Sequence, residues 1–237
     1  MLKGTFAIKA VAAVVAALGM AGAAQAGFVN GSFESPLGGG AESTSDWTTR
    51  NFVITSQANV PGWLTTASTG NIEIWRQPGP DLNGVPAYDG ERYAELNADT
   101  VGALYQDVTG IGSGLQVGWK LAHRGRTGSD TMRLTITDLG GDNLYGTADD
   151  AMLYTQTFTD ANDRWYAYSG NGIFALGNTI RFEFGAVSTA SGNNTVGNLL
   201  DAVDFGTHMG RIPEPGSLLL IGAALAAAGA ASRRRKA

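Results

Sequence analysis

Thr179-Ile-Arg-Phe-Glu-Phe-Gly185 is the stretch that decides the fold, because apolar and polar side chains alternate along it without a break. Ile180, Phe182 and Phe184 fall on one face, and the charged residues between them fall on the other, as in a strand with one buried face. The stretch Arg133-Leu-Thr-Ile-Thr-Asp138 has the same period of two. Both stretches therefore predict β-strands that cover a core on one side only.

Similar short runs recur on either side of these two, separated by Gly, Asn and Asp, and no stretch has the period of an amphipathic helix. The predicted strands are Gly27–Phe33, Asn51–Thr55, Asn71–Trp75, Arg92–Asn97, Ala103–Val108, Gly114–His123, Thr131–Asp138, Met152–Thr159, Trp165–Gly170, Thr179–Ala186 and Leu199–Gly206. Neither a linker nor an internal repeat divides them. About ten strands in one unit predict an all-β protein with a single jelly-roll β-sandwich.

The N-terminal segment has the composition of a secretory signal peptide. Lys3 and Lys9 form a basic n-region, Ala10–Met20 is a short apolar run, and Ala24-Gln-Ala26 offers the small residues of a cleavage site. The apolar run is too short to span a bilayer. We therefore predict a signal peptide over residues 1–26, which leaves a β-sandwich domain over residues 27–211.

Residues 212–237 predict a second targeting segment. Pro213 and Pro215 flank Glu214, and they hold this short motif extended because each fixes its φ angle and lacks an N–H group. The apolar run Gly216–Ala231 follows, which predicts a transmembrane helix slightly shorter than the ~20 residues that span a bilayer comfortably. The cluster Arg233-Arg-Arg-Lys236 would stay on the cytoplasmic side. An ordinary tail anchor is the alternative, but it needs no Pro-Glu-Pro motif.

This order of motif, apolar run and basic cluster resembles the PEP-CTERM sorting signal of Gram-negative bacteria. Pro213, Glu214 and Pro215 match the Pro-Glu-Pro motif that defines this signal. The resemblance implies that an exosortase-type membrane enzyme processes the chain, which is held in the membrane by its C-terminal helix until then. Carriers of the signal tend to be encoded beside exopolysaccharide-production genes. The resemblance thus implies an exported protein of the cell envelope or biofilm matrix, with extracellular polysaccharide as a partner.

The charge of the chain restricts its partners. It has 16 basic and 21 acidic residues, and the two terminal segments hold six of the basic ones and one acidic one, so the net charge of the domain is −10. An acidic domain repels nucleic acid and accommodates neutral ligands or divalent cations better. The chain also has no cysteine, which excludes disulfides, thiolate nucleophiles and zinc–thiolate sites.

Six short strings follow one another through the domain: Asn30-Gly-Ser-Phe-Glu34, Val60-Pro-Gly-Trp63, Ile72-Glu-Ile-Trp75, Tyr93-Ala-Glu-Leu-Asn97, Leu104-Tyr-Gln-Asp-Val108 and Leu199-Leu-Asp-Ala-Val-Asp-Phe205. Their order resembles the galactose-binding-like β-sandwiches, which include many carbohydrate-binding modules. The resemblance implies that fold, and it implies carbohydrate binding as the activity to expect. The fold alone does not decide the function, because it hosts many.

In several carbohydrate-binding members of this group, a structural calcium ion ties the first strand to the last. Glu34 and Asp201 match the ligand positions, whereas Asp204 is weaker because a regular strand places it on the opposite face from Asp201. Calcium takes six to eight oxygen ligands, so other groups must join them. The alternative is that both acids are solvated at strand edges. The acidic stretch Asp138–Asp150 favours a long polar hairpin over a second calcium site.

The candidate ligand residues are His123, Arg124, Arg126, Trp63 and Trp75. Guanidinium groups bind hydroxyls and carboxylates, and indole rings stack on the apolar faces of sugars. In an extended segment the two arginines project to the same side, with His123 on the opposite one. Tyr88 and Trp165 are further aromatic candidates.

Packing is the alternative role for these side chains: the tryptophans would lie in the core, and the arginines would pair with Glu95 or Asp130. The chain has two histidines and lacks the G-x-S-x-G and H-E-x-x-H motifs, so we predict a non-catalytic protein. The two resemblances imply that it binds or organises exopolysaccharide. Two other functions stay open. One is a structural matrix protein without a discrete ligand, and the other is a glycoside-active enzyme, whose two carboxylates sequence spacing cannot locate.

Overall fold

The computed structural model describes residues 27–77 and 85–207, and it confirms the predicted two-sheet β-sandwich. The strands within these residues are β1 (Phe52–Ser56), β2 (Leu64–Thr65), β3 (Asn71–Arg76), β4 (Arg92–Glu95), β5 (Ala103–Val108), β6 (Gln116–Arg124), β7 (Asp130–Asp138), β8 (Ala151–Asp160), β9 (Tyr166–Phe174), β10 (Ile180–Ser188) and β11 (Leu199–Gly206). The helical segments are the 3₁₀ turns Ala41–Ser43 and Gln57–Asn59 and the single α-helical turn α1 (Asp46–Thr49).

The strands form two antiparallel sheets. The six-stranded sheet has the order β1-β3-β4-β11-β6-β9, and the five-stranded sheet has the order β2-β5-β10-β7-β8. Among the described residues, no helix is both long and apolar enough to cross a bilayer. The predicted signal peptide, Pro-Glu-Pro motif and transmembrane helix lie outside the described residues.

The core lies between the sheets, and the alternating stretch of β10 is at its centre. The side chains of Ile180, Phe182 and Phe184 have no exposed surface, as their period of two predicts. Phe205 of β11 stacks on Phe182 across the two sheets with ring centroids 3.9 Å apart. Such aromatic pairs stabilise a core by about 0.5–1.5 kcal/mol beyond the area that they bury.

The segment predicted as a first strand, Gly27–Phe33, is not a strand but a series of turns. Asn30 and Phe33 have φ angles of 56° and 58°, in the left-handed region, and the Phe33 amide donates to the Asn30 carbonyl over 3.1 Å. The turn breaks the alternation that a strand needs. Gln106 of β5 holds the segment on the sandwich, because its Nε2 donates to the Val29 carbonyl over 2.7 Å.

β11 contains a β-bulge that corrects a second prediction. Asp201 lies opposite Ala122 of β6 and Asp204 lies opposite Lys120, so Ala202 and Val203 share the single position between them. Ala202 takes a φ angle of 47°, as the bulge requires. The extra residue resets the alternation. Asp201 and Asp204 consequently lie on the same face of the strand rather than on opposite faces.

Candidate functional site

The outer face of the six-stranded sheet, which is turned away from the sandwich core, carries an unusual set of side chains. The strand register places Trp75 of β3 beside Tyr93 of β4, and both rings are fully buried. Together with Leu199 they form a small apolar cluster separate from the main core. Phe52 and Trp165 pack against this cluster. Part of the outer face is therefore a second, covered layer rather than a solvated surface.

A buried ion pair joins this layer. Both carboxylate oxygens of Glu95 lie 2.9 Å from Nη1 of Arg126. The Glu95 side chain also accepts from Trp75 Nε1 over 3.0 Å and from the Gly197 amide over 2.6 Å, and it has no exposed surface. The Arg126 guanidinium lies 4.9 Å from the centroid of the Trp75 ring. Arg126 and Trp75 therefore stabilise one buried carboxylate together.

Glu73 lies directly across the β3–β4 pair from Glu95, which brings two carboxyl groups together in a buried layer. Burial raises the pKa of Glu73 well above its usual range, and the neighbouring Glu95 raises it further. Burial also raises the pKa of Glu95, to about 7, while Arg126 acts in the opposite direction. Two like charges this deeply buried do not both form readily. Glu73, which lacks the arginine contact, is the carboxyl group that we expect to keep its proton.

His123 lies inside the sandwich and not at a ligand surface, which corrects its predicted role. Its side chain has no exposed surface, Nδ1 lies 2.7 Å from Asp160 Oδ2, and Nε2 lies 3.1 Å from Asn198 Oδ1. Tyr168 donates to the other oxygen of Asp160 over 2.6 Å. Asn198 in turn donates to Asn97 Oδ1 over 3.1 Å. His123 therefore connects four other side chains in a buried polar network.

The predicted ligand residues separate into two groups. Trp63 lies in the main core with 1% of its surface exposed, stacks on Phe33 and donates to the Asn30 carbonyl, so it offers no surface to a ligand. Trp75 shares the outer face with Arg124 and Arg126, but its ring is covered. Arg124 donates to the Asn162 carbonyl and is partly exposed. The structure thus brings Trp75, Arg124 and Arg126 together and places Trp63 and His123 elsewhere.

An open groove of about 460 Å³ lies on the same outer face, over β11, β6 and β9. Its lining includes Tyr88, Asp89, Lys120, Ala167, Ser169 and Ala202. The Tyr88 side chain is 49% exposed and meets Trp165 edge-on, with ring centroids 6.4 Å apart. Lys120 Nζ lies 3.7 Å from Asp204 Oδ2. Sequence reasoning named the two aromatic residues but missed the polar lining, because single polar residues in strands form no motif.

Glu34 and Asp201, the predicted calcium ligands, hold the turn that forms one wall of the groove. Glu34 Oε1 accepts from the amides of Glu91 and Arg92 over 2.7 and 2.6 Å. Asp201 Oδ2 accepts from the amides of Tyr88 and Asp89 over 2.7 and 3.0 Å. Both carboxylates therefore reach one five-residue turn from distant parts of the chain.

The fit of these residues to calcium is partial. Burial raises the pKa of Asp201 to about 7, so a cation bound beside it would offset the cost of burying its charge. However, amide N–H groups occupy the oxygens that a metal would need, and the described part of the chain contains no group of three acidic or histidine side chains placed to hold a metal ion. The turn is thus held by hydrogen bonds as it stands.

Comparison with solved structures finds β-sandwiches of similar fold. A family 4 carbohydrate-binding module is 11% identical, with 76% of this chain and 98% of that one covered at a TM-score of 0.39. The C-terminal family 22 module of Clostridium thermocellum Xyn10B is 12% identical, with 65% and 92% covered at a TM-score of 0.43. A family 61 module solved with β-1,4-galactotriose is 12% identical, with 75% of this chain and 94% of that one covered at a TM-score of 0.36. This likeness is one of fold.

No curated protein matches the chain. Residues 211–236, in contrast, match the PEP-CTERM protein-sorting motif. The match covers the proline pair, the apolar run and the basic cluster, and it confirms the sequence prediction for this segment. The motif indicates an exported protein of the cell envelope that an exosortase processes. The chain is therefore a β-sandwich protein that carries a PEP-CTERM sorting motif.

Proposed function

We propose that this protein is an exported, non-catalytic β-sandwich that binds or organises exopolysaccharide in the cell envelope or extracellular matrix. The groove on the outer face is the observation that carries the proposal. Its volume of about 460 Å³ lies within the ~300–1,000 Å³ typical of ligand pockets. An exposed aromatic ring at its rim and polar groups on its floor suit a sugar, which has apolar ring faces and hydroxyl edges.

The polar groups of the groove match the hydroxyls of a neutral sugar. Lys120 donates hydrogen bonds, Asp89 accepts them, and the Ser169 hydroxyl does both. Lys120 is already paired with Asp204, so it offers no unbalanced positive charge to an anionic chain. The net charge of −10 over the domain also disfavours polyanions. Neutral glycans are therefore the ligand class that this groove favours.

The wall of the groove is preorganised. Asp201 binds the backbone amides of Tyr88 and Asp89, so the exposed tyrosine stands on a turn whose position the sheet fixes. A wall that is ordered before binding lowers the entropic cost of holding a ligand. A structural calcium ion at Glu34 and Asp201 belongs to this proposal, because it would neutralise the buried Asp201 carboxylate beside the same turn.

The acidic pair on the outer face does not favour an enzyme. Glu73 and Glu95 are 2% and 0% exposed, and the Glu95 oxygens are occupied by Arg126, Trp75 and Gly197. A glycosidase needs two carboxyl groups that reach the scissile bond. Of the alternatives raised by the sequence, a matrix protein without a discrete ligand is consequently the one that binding experiments must separate from the proposal.

A glycan array and binding to isolated matrix polysaccharide test the proposal with the exported domain. We expect binding to neutral glycans and a drop of roughly tenfold for Tyr88→Ala, which corresponds to about 1.4 kcal/mol. Tyr145→Ala is the matched control, because Tyr145 is 51% exposed but lies on the loop between β7 and β8, outside the groove. Absence of binding by the wild-type domain would instead support a structural matrix protein.

A further inference from the structure

The end of the sandwich from which the C-terminal tail leaves has its own surface. β11 ends at Gly206, which pairs with Gly118 near the start of β6. The loops of residues 109–115, 139–150 and 175–179 lie at the same end, because Ile180 pairs with both Val108 and Asp138. They contact one another, since the Ala175 amide donates to the Leu115 carbonyl over 2.9 Å and the Thr179 hydroxyl donates to Asn143. These three loops and the adjoining strand ends are called the exit end below.

The exit end is rich in exposed apolar side chains. Of the twelve large apolar residues that are exposed in the described part of the chain, six lie here: Leu115, Leu144, Tyr145, Met152, Phe174 and Leu176. Their exposed fractions run from 43% to 66%. Single exposed apolar residues are ordinary, but a concentration of them marks a surface that contacts an apolar partner.

The path of the tail identifies the partner. The segment 208–215 connects β11 to the apolar run of the sorting motif, and eight extended residues span at most about 30 Å. While the apolar run is in the membrane, the domain is therefore tethered close to the bilayer. The exit end is the part of the domain nearest the point of tethering, and its apolar side chains lie where lipid is within reach.

The acidic residues of the exit end restrict the charge of the lipid headgroups that it can contact. Asp142, Asp149 and Asp150 all lie in the loop between β7 and β8, next to Leu144 and Tyr145. They cap the loop, as Asp149 accepts from the Gly141 amide over 2.7 Å and Asp150 accepts from the Gly146 amide over 2.6 Å. Anionic headgroups would be repelled by these carboxylates, whereas zwitterionic headgroups would not.

We propose that the exit end docks on a zwitterionic lipid surface, through these six apolar residues, while the tail still anchors the protein. The docked state holds the sandwich on the membrane before the sorting motif is processed. This role is separate from glycan binding, because it uses the loops at the end of the sandwich and leaves the groove on the outer face free. It rests on the sorting motif and on the exposed apolar residues, and it stands even if no glycan binds.

Site-specific labelling tests the proposal well, because the chain has no cysteine. The full chain with Leu176→Cys would carry a fluorescent probe and be reconstituted into phosphatidylcholine vesicles that contain a nitroxide-labelled lipid. Val187→Cys is the matched control: Val187 is 50% exposed but lies near the far end of β10. We expect quenching at position 176 to exceed that at position 187 severalfold. Equal quenching at the two positions would overturn the proposal.

Two further measurements sharpen the test. Adding Leu144→Ser and Phe174→Ser to the Leu176→Cys chain should bring its quenching down to that of the control, with the melting temperature showing that the fold is retained. Replacing phosphatidylcholine by phosphatidylglycerol should also weaken quenching at position 176. Unchanged quenching in the serine variant, or stronger quenching on anionic vesicles, would contradict docking of this apolar surface on neutral lipid.

Discussion

Arg126 approaches both carboxylate oxygens of Glu95 at 2.9 Å while its guanidinium rests on the ring of Trp75. The carboxylate is fully buried and the arginine side chain is 18% exposed. Arg126 therefore closes the outer layer of the sheet over a charge that would otherwise be buried without a counter-ion. This explains why a loop next to the predicted ligand strand carries arginine, and it assigns Arg126 a structural role.

Arg126→Ala should destabilise the domain strongly, because it leaves the Glu95 carboxylate buried and unpaired. Removing one partner of a buried ion pair typically costs about 3–5 kcal/mol. Arg124→Ala is the control, since Arg124 donates only to a backbone carbonyl and is partly exposed. Urea unfolding at about pH 8, above the pKa of about 7 that Glu95 has in the folded protein, measures both variants. Equal losses of stability in the two variants would contradict the structural role of Arg126.

His123→Ala should also destabilise the domain, by roughly 3 kcal/mol, because it removes the partner of a buried carboxylate and of a buried amide. Asp160 would keep its hydrogen bond from Tyr168, and Asn198 would keep those to Asn97 and the Ser188 carbonyl. Urea unfolding of the variant checks the size of the loss. A variant as stable as wild type would show that the network relaxes around the missing ring.

Stability should fall as the pH rises from about 4 to about 7. The pKa of Asp201 is raised by burial from 3.8 to about 7, so in this window the folded protein binds a proton that the unfolded chain has released. Linkage then makes the free energy of unfolding decrease with increasing pH. Burial also raises the pKa values of Glu73 and Glu95, which contribute to the same decrease, so Asp201→Asn, which cannot ionise, should make the decrease smaller without removing it. Thermal unfolding across this range, with chelator present, measures the effect, and an identical slope in the variant would rule out Asp201 as its source.

Calcium should offset the loss of stability that the buried Asp201 carboxylate causes as the pH rises. If the ion binds Glu34 and Asp201, it stabilises the folded state by mass action, and a chelator should lower the melting temperature. Asp201→Ala should lose the response to added calcium, while Asp204→Ala should keep it, because Asp204 pairs with Lys120 whereas Asp201 accepts from the turn at Tyr88. A wild-type melting curve that chelator leaves unchanged would refute the calcium proposal.

Changing Pro213 and Pro215 to Ala should block processing of the sorting motif. Proline fixes its φ angle and lacks an N–H group, so the variant loses the backbone constraint that we propose the processing enzyme recognises, and it should accumulate in the membrane fraction with its Arg-rich tail intact. Mass spectrometry of the C-terminus in each cell fraction checks this. The same C-terminus in wild type and variant would mean that the motif is only the flank of a tail anchor.

Alternation was a good guide to the strands, because a sandwich buries one face of each strand and leaves a period of two in the sequence. β10 and β7 lie where their patterns predict. The prediction of a strand over Gly27–Phe33 was wrong, because Asn30 and Phe33 adopt left-handed backbone conformations. A pattern of polar and apolar residues does not encode such conformations. β2 was missed because a strand of two residues has no period to detect.

The site was less predictable than the strands. The period of two in an extended segment predicted that Arg124 and Arg126 project to the same side. Both side chains lie on the outer face of the six-stranded sheet. The groove, however, depends on a turn near Tyr88 that meets Asp201 from 113 positions away in sequence. Such a long-range contact leaves no local pattern. Burial of His123 was equally hidden, because its partners Asp160 and Asn198 come from two other parts of the chain.

The bulge at Ala202 makes the length of β11 as important as its composition. Deleting Ala202 would remove the bulge and keep both faces, because Val203 alone would then fill the position between Asp201 and Asp204. Inserting one more residue beside it would instead exchange the faces of all the residues that follow or all that precede. Phe205 would then leave the core, or Asp201 would enter it. Evolution can lengthen or shorten the loop between β7 and β8 freely by comparison. We expect insertions and deletions among homologues to collect in that loop, and we expect residues 201–205 to show no insertion.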